Sequence, residues 1–366
     1  MTIDGSERSG SGTVLRHALV LATLFGEDVR ITRIRAKRDK PGLRPQHLAT
    51  VKACAELSRA RVDGAHTGSS ELVFRPGSKI AGGEYRWDIG TAGSTTMLAQ
   101  ALLPVAAFAD APTIFEVSGG VFQDFAPSPY HMRHVLFPIL RKMGIEADLE
   151  IVRPGYVPAG NGLIRVTVEP LEGTASSLSM PEQGKASIVS GIAISSHLTE
   201  HRVSERMAEE CKKALSERSL SVSIDITNDR GASQAGAGLA VWTETSAGCR
   251  LGSDQAGKRG GSSESIGRYV AESLLEDLDS GSTVDRFLAD QLIIYAGLAK
   301  GLTEFVIPSL TDHVDSNLWL IEEFGARTRL DGRRLWIEGM GYGGRQRVAR
   351  TVRVRPGRCR RLWGQR

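Results

Sequence analysis

The sequence predicts an α+β protein built from repeated units, with a small domain inserted in the second half of the chain. Apolar segments with helical spacing run into glycine-bounded turns, and segments of alternating polarity, which indicate strands, follow them. This order recurs up to about residue 176 and returns after residue 276. Between these positions serine, glycine and charged residues are more frequent, which predicts the insert.

Each repeated unit is predicted from its periodic apolar positions. The predicted helices of the main body cover residues 14–25, 48–61, 95–108, 131–143 and 317–324. The predicted strands lie at residue 62 and over residues 72–74, 114–117, 147–152, 163–168, 328–330 and 334–337. In the insert, residues 205–216 and 265–278 predict helices and residues 221–227 predict a strand. We therefore expect a main body of residues 1–176 and 277–338, an insert of residues 177–276 and a tail of residues 339–366.

Length and composition limit the class of protein. With 366 residues, of which 41% are hydrophobic, the chain exceeds one ordinary core and fits two domains. The first residues have no apolar signal segment, and Gln100 and Pro104 interrupt the longest apolar stretch. Its four cysteines are far apart and form no CxxC pair, which favours ordinary thiols over a zinc site or a disulfide framework. We expect no membrane span and a cytoplasmic location.

The positive charge is concentrated at the end of the chain. The net charge is +4, and residues 341–366 contain nine arginines and no acidic residue. Such a tail attracts polyphosphate partners, but it is also typical of a disordered, solubilising end. Its composition does not decide between these roles.

A second group of cations lies in a turn that proline stiffens. Residues 34–47 read IRAKRDKPGLRPQH, in which five basic residues surround a Pro41-Gly42 turn: Arg35, Lys37, Arg38, Lys40 and Arg44. Guanidinium groups on a braced turn can bind two phosphate oxygens at once. A solvated basic loop is the alternative.

Two glycine turns precede predicted helices. Gly10 and Gly12 come directly before the first helix, where free N–H groups and the helix dipole can bind a phosphate, and Arg16 lies one turn further on. Gly93 precedes the third helix, on which Gln100 is a polar residue among apolar ones. Helix capping and a buried amide bonded to the backbone explain these patterns equally well.

The segment GSDQAGKRGGSS, residues 252–263, contains the GxxxxGK part of a phosphate-binding loop. Arg259 stands where that motif requires a metal-binding serine or threonine. We therefore interpret this segment as a flexible linker.

Among the eight histidines, His313 has the most polar setting. It is flanked by Asp312 and Asp315 at the beginning of a predicted helix, and these carboxylates could orient its ring. Structural histidines are far commoner than nucleophiles, so the position alone does not assign catalysis.

The ordered motifs of the chain resemble one family, the RNA 3'-terminal phosphate cyclases. The resemblance extends from about residue 3 to residue 338 and rests on the motifs IRAKRDKPGLRPQHL, FRPGSKIAGGEYRWDIGTAGSTT, RHVLFPILRKMG, RPGYVPAGNG, LADQL and HVDSN. It implies units of two helices on a four-stranded sheet, in a cyclase and enolpyruvate transferase-like fold, with a small thioredoxin-like insert.

The resemblance also implies an activity. Members of this family use ATP to convert an RNA 3'-terminal phosphate into a 2',3'-cyclic phosphate through an adenylylated histidine, which matches His313. The triphosphate would be bound by Arg16, Arg35 and Gln46. The residues that match the adenosine pocket are Gln100, Pro127, Phe287, Leu288, Ala289, Asp290 and Gln291. ATP, a divalent ion (magnesium or manganese) and RNA 3'-phosphate ends are therefore the expected cofactors and partners, whereas no metal ligand and no oligomeric state are predicted.

The chain departs from the family at three positions. Ser9 replaces the glutamate that serves the metal, Thr13 replaces a glutamine, and Phe287 stands where tyrosine is frequent. A hydroxyl does not supply the charge of a carboxylate, so we expect weaker metal binding or a different metal preference. Two alternatives remain at this point: a non-catalytic RNA-binding or ribosome-assembly relative, and an enolpyruvyl transferase-like enzyme. Lysine-based nucleotidyl transfer is excluded because the sequence contains no KxDG motif.

Overall fold

The computed structural model describes residues 1–124 and 126–344. The first unit contains two helices and four strands: β1 Thr2–Asp4, α1 Gly12–Phe25, β2 Val29–Thr32, α2 Pro45–Ser58, β3 Arg61–Asp63 and β4 Leu72–Arg75. Its sheet has the order β1-β2-β4-β3, in which β1 and β2 are parallel and the other neighbours are antiparallel.

The second unit repeats this topology. Its elements are β5 Gly83–Asp88, α3 Thr95–Ala107, β6 Thr113–Gly119, α4 Pro129–His131, α5 Phe137–Lys142, β7 Ala147–Arg153 and β8 Gly162–Val168. A π-helical turn, Met132–Leu136, joins α4 to α5, so the two form one interrupted helix. The sheet order is β5-β6-β8-β7.

The third unit begins with the short strand β9 Ser179–Met180 and is then interrupted by the insert. The insert contains β10 Ile188–Ser196, α6 Val203–Ser216, β11 Ser221–Asp229, β12 Gly236–Glu244, β13 Arg250–Ala256 and α7 Ser263–Asp279. Strands β10 and β11 are parallel, β12 and β13 are antiparallel to their neighbours, and the sheet order is β11-β10-β12-β13. A βαβ unit followed by a hairpin and a helix is a thioredoxin-like arrangement.

The third unit then continues with the same topology as the first two. Its remaining elements are α8 Leu288–Leu298, β14 Lys300–Val306, α9 Asp312–Glu323, β15 Arg327–Asp331 and β16 Arg334–Met340, with the sheet order β9-β14-β16-β15. The predicted fold class, repeated units of two helices on a four-stranded sheet with a thioredoxin-like insert, is therefore confirmed.

Helices from all three units meet around α1. This helix is buried along most of its length and packs against α2, α3 and α9, while α8 packs against α9 and α3. Small residues such as Ala18 and Ala22 allow this close approach. The beginnings of α1, α8 and α9 are consequently brought together although they are far apart in the sequence.

The interpretation of residues 252–263 as a flexible linker is wrong for its first half. Gly252 and the next four residues belong to strand β13, and Gly252 and Ser253 are buried against α4 and the π-helical turn. A Cβ atom on Gly252 would lie 2.7 Å from a methyl carbon of Val135, so glycine is required by close packing and not by flexibility. Residues 257–262 form the turn into α7, and Ser262 caps that helix by accepting a hydrogen bond from the N–H of Ser265.

Two predicted helix starts also differ from the structure. Helix α9 begins at Asp312 instead of residue 317 because Thr311 caps it and its first turn is polar, which hides the apolar period. Helix α2 begins at Pro45 instead of residue 48, because the first turn of a helix tolerates the missing N–H of proline. None of the helices in the described part of the chain is long and apolar enough to cross a membrane. The predicted arginine-rich tail lies outside the described residues from residue 345 onward.

Candidate active site

A cavity of about 330 Å³ lies where α1, α3, α8 and α9 meet. Its walls contain Arg16 from α1, Gln100 from α3 and His313 from α9. The residues predicted for the adenosine pocket that line it are Gln100, Pro127, Phe287, Asp290 and Gln291. Leu288 and Ala289 are fully buried in α8 and do not line the cavity.

His313 lies in the first turn of α9, which Thr311 caps. Its Nδ1 atom is 3.5 Å from Oδ2 of Asp290, and 45% of the His313 side chain is exposed. A half-exposed imidazole beside a carboxylate can be oriented by that carboxylate and still reach a ligand in the cavity.

Asn317 fixes the three helices that carry these groups. Its Nδ2 atom donates a hydrogen bond of 2.9 Å to the backbone oxygen of Asp290, and its Oδ1 atom lies 2.5 Å from Nδ1 of His17. Burial lowers the pKa of His17 to about 4, so its imidazole is neutral at pH 7 and donates to the amide oxygen through Nδ1. The distance between α8 and α9 at the cavity is therefore set by a specific hydrogen-bond chain.

Arg16 supplies a positive charge beside this cavity. Its Nη2 atom is 3.3 Å from Oγ1 of Thr13, and within residues 1–124 and 126–344 it forms no ion pair. Desolvation lowers the pKa of the guanidinium to about 10, with a further contribution from Arg35, whereas Asp290 raises it. A cation with this environment is suited to an anionic ligand.

The predicted phosphate residues Arg35 and Gln46 do not line the cavity. Arg35 lies in the turn after β2, and Gln46 lies in the first turn of α2. Nη1 of Arg35 donates to the backbone oxygens of Lys40 at 2.7 Å and Gly42 at 2.8 Å, so the guanidinium is fixed by its own loop. Gln46 packs against the turn before α3, where a Cβ atom on Gly93 would lie 3.1 Å from its Cβ atom.

His47 connects these cations with the first glycine turn. A Cβ atom on Gly12 would collide with Nε2 of His47 and lie 3.1 Å from Nη1 of Arg16, so only glycine fits there. Desolvation lowers the pKa of His47 to about 2, and Arg16 and Arg35 lower it further. The neutral imidazole of His47 thus lies close to the positive charges of Arg16 and Arg35.

Three buried polar atoms at the cavity lack a hydrogen-bond partner in the described structure. They are Nε2 of Gln100, Oε1 of Gln291 and the hydroxyl of Tyr295. Burial also raises the pKa of the Tyr295 phenol. An unsatisfied buried polar atom costs about 1–3 kcal/mol, so a ligand that supplies the partners would recover that cost.

Tyr295 was not predicted from the sequence. It follows Gln291 by four residues, which places both on the same face of α8, and this spacing is the signal that could have identified it. Arg286, His17 and Thr311 also line the cavity without having been predicted. These residues come from different elements, and no local pattern brings them together.

Ser9 is engaged in hydrogen bonds with α9. Its N–H donates to Oγ of Ser316 at 3.1 Å, its hydroxyl accepts from Ser316 at 2.8 Å, and it also lies 2.9 Å from Oγ of Ser11. Among the described residues no group of three histidine, cysteine or acidic side chains is arranged to hold a metal ion. These residues therefore do not fit a metal site made by the protein alone.

Comparison with known proteins identifies the family. Residues 7–329 match the family model described as RNA 3'-terminal phosphate cyclase. The chain belongs to the RNA 3'-terminal phosphate cyclase family. Within this cyclase family, a relative from Pyrococcus abyssi with that name is 39% identical over 355 residues, covering 96% of this chain and 99% of the relative. A relative of the same name from Thermococcus onnurineus is 40% identical over 350 residues, covering 95% of this chain and 98% of the relative.

Solved structures similar to this cyclase-family chain include an EPSP synthase from Acinetobacter baumannii. The TM-score is 0.40 at 10% sequence identity, and the match covers 94% of this chain and 47% of that structure. The family match favours the cyclases over the enolpyruvyl transferase alternative.

Proposed function

We propose that the chain converts RNA 3'-terminal phosphates into 2',3'-cyclic phosphates in an ATP-dependent reaction that passes through a His313–AMP adduct and an adenylylated RNA end. The observation that carries this proposal is the position of His313, 3.5 Å from Asp290 and in the wall of a cavity that also contains Arg16. Family membership supports the same reaction. AMP and pyrophosphate are the other products, and the reaction class is that of a ligase acting in RNA processing.

The cavity has features that suit an adenosine group. The Gln100 amide offers a donor and Gln291 offers an acceptor, which is the combination that an adenine edge requires. Phe287 lines the same cavity and provides an aromatic face for stacking. Both amide atoms lack a partner, so binding would satisfy buried groups as well as add contacts.

The cations beside the cavity suit the triphosphate. Arg16 and Arg35 would neutralise its charge and that of the departing pyrophosphate, and Gln46 would add a hydrogen bond. Arg35 is already held by two backbone oxygens, so little side-chain freedom would be lost on binding. The N–H groups at the start of α1 provide further donors.

His313 is the nucleophile in this mechanism. With Nδ1–H directed at Asp290, Nε2 carries the lone pair, which attacks the α-phosphorus of ATP to form a P–N bond while pyrophosphate leaves. The adduct carries a positive charge on the ring, and the Asp290 carboxylate stabilises it. Asp290 therefore both selects the reactive tautomer and lowers the energy of the product of this step.

The adduct then transfers AMP to RNA. An oxygen of the RNA 3'-phosphate attacks the adenylyl phosphorus, the P–N bond breaks, and His313 returns to its neutral form. The adjacent 2'-hydroxyl oxygen attacks the RNA phosphorus, AMP leaves, and the hydroxyl proton passes to solvent. Because both groups belong to one nucleotide, proximity accelerates this step.

A divalent ion, magnesium or manganese, would enter with the ATP phosphates, since the described side chains form no metal-binding group.

The second candidate function is that of a non-catalytic RNA-binding or ribosome-assembly relative. Ser9 favours it, because this residue stands at the family's glutamate position and is hydrogen-bonded to Ser316. We favour the enzyme because His313, Asp290 and Arg16 remain together at one cavity. A cytoplasmic location remains part of this proposal.

The test is the fate of an RNA with a labelled 3'-terminal phosphate. After incubation with ATP and magnesium or manganese, the label should become resistant to phosphomonoesterase, because the product is a cyclic diester. The His313→Ala variant should give no resistant label, whereas His66→Ala, at an exposed histidine of the first unit, should behave as the wild type. Fully sensitive label with the wild type under both metals would favour the non-catalytic candidate.

A further inference from the structure

Three ionisable side chains from different parts of the fold are buried together beside the cavity. His131 comes from α4 in the second unit, Asp254 from β13 in the insert, and Asp285 from the segment before α8. Their exposed fractions are 2%, 7% and 0%. Charged groups are buried at this depth only where they are paired and hydrogen-bonded.

Asp285 is the centre of this cluster. Its Oδ2 atom lies 3.0 Å from Nε2 of His131 and accepts a hydrogen bond of 2.8 Å from the N–H of Gly252. Its Oδ1 atom accepts hydrogen bonds of 2.8 Å from the N–H groups of Phe287 and Leu288, at the start of α8. All four contacts would be disturbed by any rotation of the carboxylate.

The pKa values of His131 and Asp285 are shifted in opposite directions, each by the charge of the other. Burial alone would lower the pKa of His131, but the carboxylates of Asp285, Asp254 and Asp290 raise it overall. Burial alone would raise the pKa of Asp285, but His131 and the backbone donors lower it overall. Each partner therefore stabilises the charged form of the other.

This cluster touches the cavity wall on two sides. The His131 and Phe287 rings pack in a T-shaped arrangement, with centroids 5.5 Å apart and an interplanar angle of 82°. On the other side, Oδ2 of Asp254 accepts a hydrogen bond of 2.5 Å from the N–H of Ser128, the neighbour of Pro127 in the cavity wall. His131 and Asp254, which do not line the cavity, therefore support Phe287 and Pro127 in its wall.

We infer that His131 is a positioning residue for the nucleotide site, which it controls by holding Asp285 against the first turn of α8 and by buttressing Phe287. The inference rests on the proposed function and deepens it, because it assigns a role to a residue outside the cavity and to the insert that supplies Gly252 and Asp254. Phe287, Asp290 and Gln291 all follow Asp285 within six residues, so the orientation of this turn sets the positions of all three.

Binding of AMP, measured by titration calorimetry, tests the inference without requiring any covalent step. The His131→Leu variant, which leaves Asp285 without its ring partner, should weaken AMP binding by about tenfold or more. The His131→Gln variant should bind AMP within about threefold of the wild type, because the glutamine amide nitrogen can occupy the position of Nε2.

A matched control separates positioning from loss of stability. Val270 is fully buried in α7, which packs on β13 in the insert, so Val270→Ala should lower the melting temperature without weakening AMP binding. If His131→Leu does not fold, Asp285→Asn takes its place. The amide of that variant would present a donor to other donors, and AMP binding should again weaken by about tenfold.

Three results would overturn the inference. They are wild-type AMP affinity in a folded His131→Leu or Asp285→Asn variant, an equal loss of affinity in Val270→Ala, and a wild type that does not bind AMP. A wild type that binds AMP with this pattern but forms no histidine adduct with ATP would contradict the proposed catalysis and leave the positioning role in place.

Discussion

Nδ1 of His313 and Oδ2 of Asp290 lie 3.5 Å apart, one in the first turn of α9 and the other in the first turn of α8. The backbone oxygen of Asp290 also accepts a hydrogen bond from Asn317, which is on α9 with the histidine. The carboxylate is therefore held in register with the imidazole by a second contact between the same two helices. This relationship accounts for how a half-exposed histidine acquires a fixed orientation.

The Asp290→Asn variant should form the histidine adduct about 10 to 100 times more slowly than the wild type, because an amide neither selects the reactive tautomer nor stabilises the charged ring. Single-turnover adenylylation at saturating ATP measures this rate. Asp315→Asn is the matched control, since Asp315 lies two residues after His313 on α9 but pairs with Arg8 at 3.2 Å. A rate for Asp290→Asn equal to that of the control would contradict the assigned role.

The Gln100→Leu variant should bind ATP about tenfold more weakly, yet its nucleotide-free form should be at least as stable as the wild type. The reason is that Nε2 of Gln100 is buried without a partner, so its removal relieves a cost in the free protein. Denaturant unfolding and ATP titration together provide the measurement. Gln123→Leu is the contrasting control because the Gln123 amide donates to Ala92 and Gly120 and its loss should destabilise the protein. A free Gln100→Leu protein that is clearly less stable would show that the amide is satisfied without nucleotide.

The stability of the protein should fall as the pH decreases from about 6.5. Burial depresses the pKa of His17 to about 4, so the unfolded chain binds a proton in this interval that the folded protein does not. At pH 5 this linkage amounts to about 2 kcal/mol for His17, from 1.36 kcal/mol per pKa unit. The contribution of the neutral, buried His17 to the free energy of unfolding is fully present above pH 6.5 and is lost as the pH falls toward 4.

Replacement of His17 tests that linkage. The His17→Asn variant keeps a donor for Asn317 and should lose about 2 kcal/mol less stability between pH 7.5 and pH 5 than the wild type. Urea unfolding at the two pH values measures the difference, and His66→Asn, at an exposed site, is the matched variant. Parallel pH profiles for His17→Asn and the wild type would rule out the assigned contribution.

Ser9→Glu should raise the adenylylation rate at limiting magnesium, because a carboxylate at this position would add a charged oxygen ligand where the described residues form no metal-binding group. The change removes the hydroxyl contacts with Ser316 and Ser11, so Ser9→Gln, of equal size but without charge, controls for that loss. Rates are compared over a magnesium titration. No difference between the two variants would mean that the family's glutamate position does not limit metal use in this chain.

The sequence predicts the repeated units because apolar helical segments run into glycine-bounded turns and then into strands of alternating polarity. It does not predict α8, which is buried on nearly all sides and therefore shows no amphipathic pattern. Strand β13 resembled a linker because small residues fill the narrow space beside α4. Local patterns fail where packing against distant elements decides the structure.

For the candidate site, too, the sequence predicts some residues, whereas the distances between them depend on packing between distant elements. Motif resemblance selects His313 and Asp290, but their distance depends on the packing of two helices that no local signal aligns. The pairing of His131 with Asp285 joins residues 154 positions apart, and no local pattern around His131 indicates it. Only the assembled fold identifies that contact.

In the proposed mechanism, His313 carries AMP during the reaction. The most direct measurement is intact-protein mass spectrometry after incubation with ATP and magnesium or manganese, with His313→Ala examined in parallel and the modified peptide sequenced. We predict a mass increase of one AMP on the wild type, located on His313 and missing from the variant. An unmodified wild type under both metals, or an adduct that persists in His313→Ala, would show that His313 is not the nucleophile.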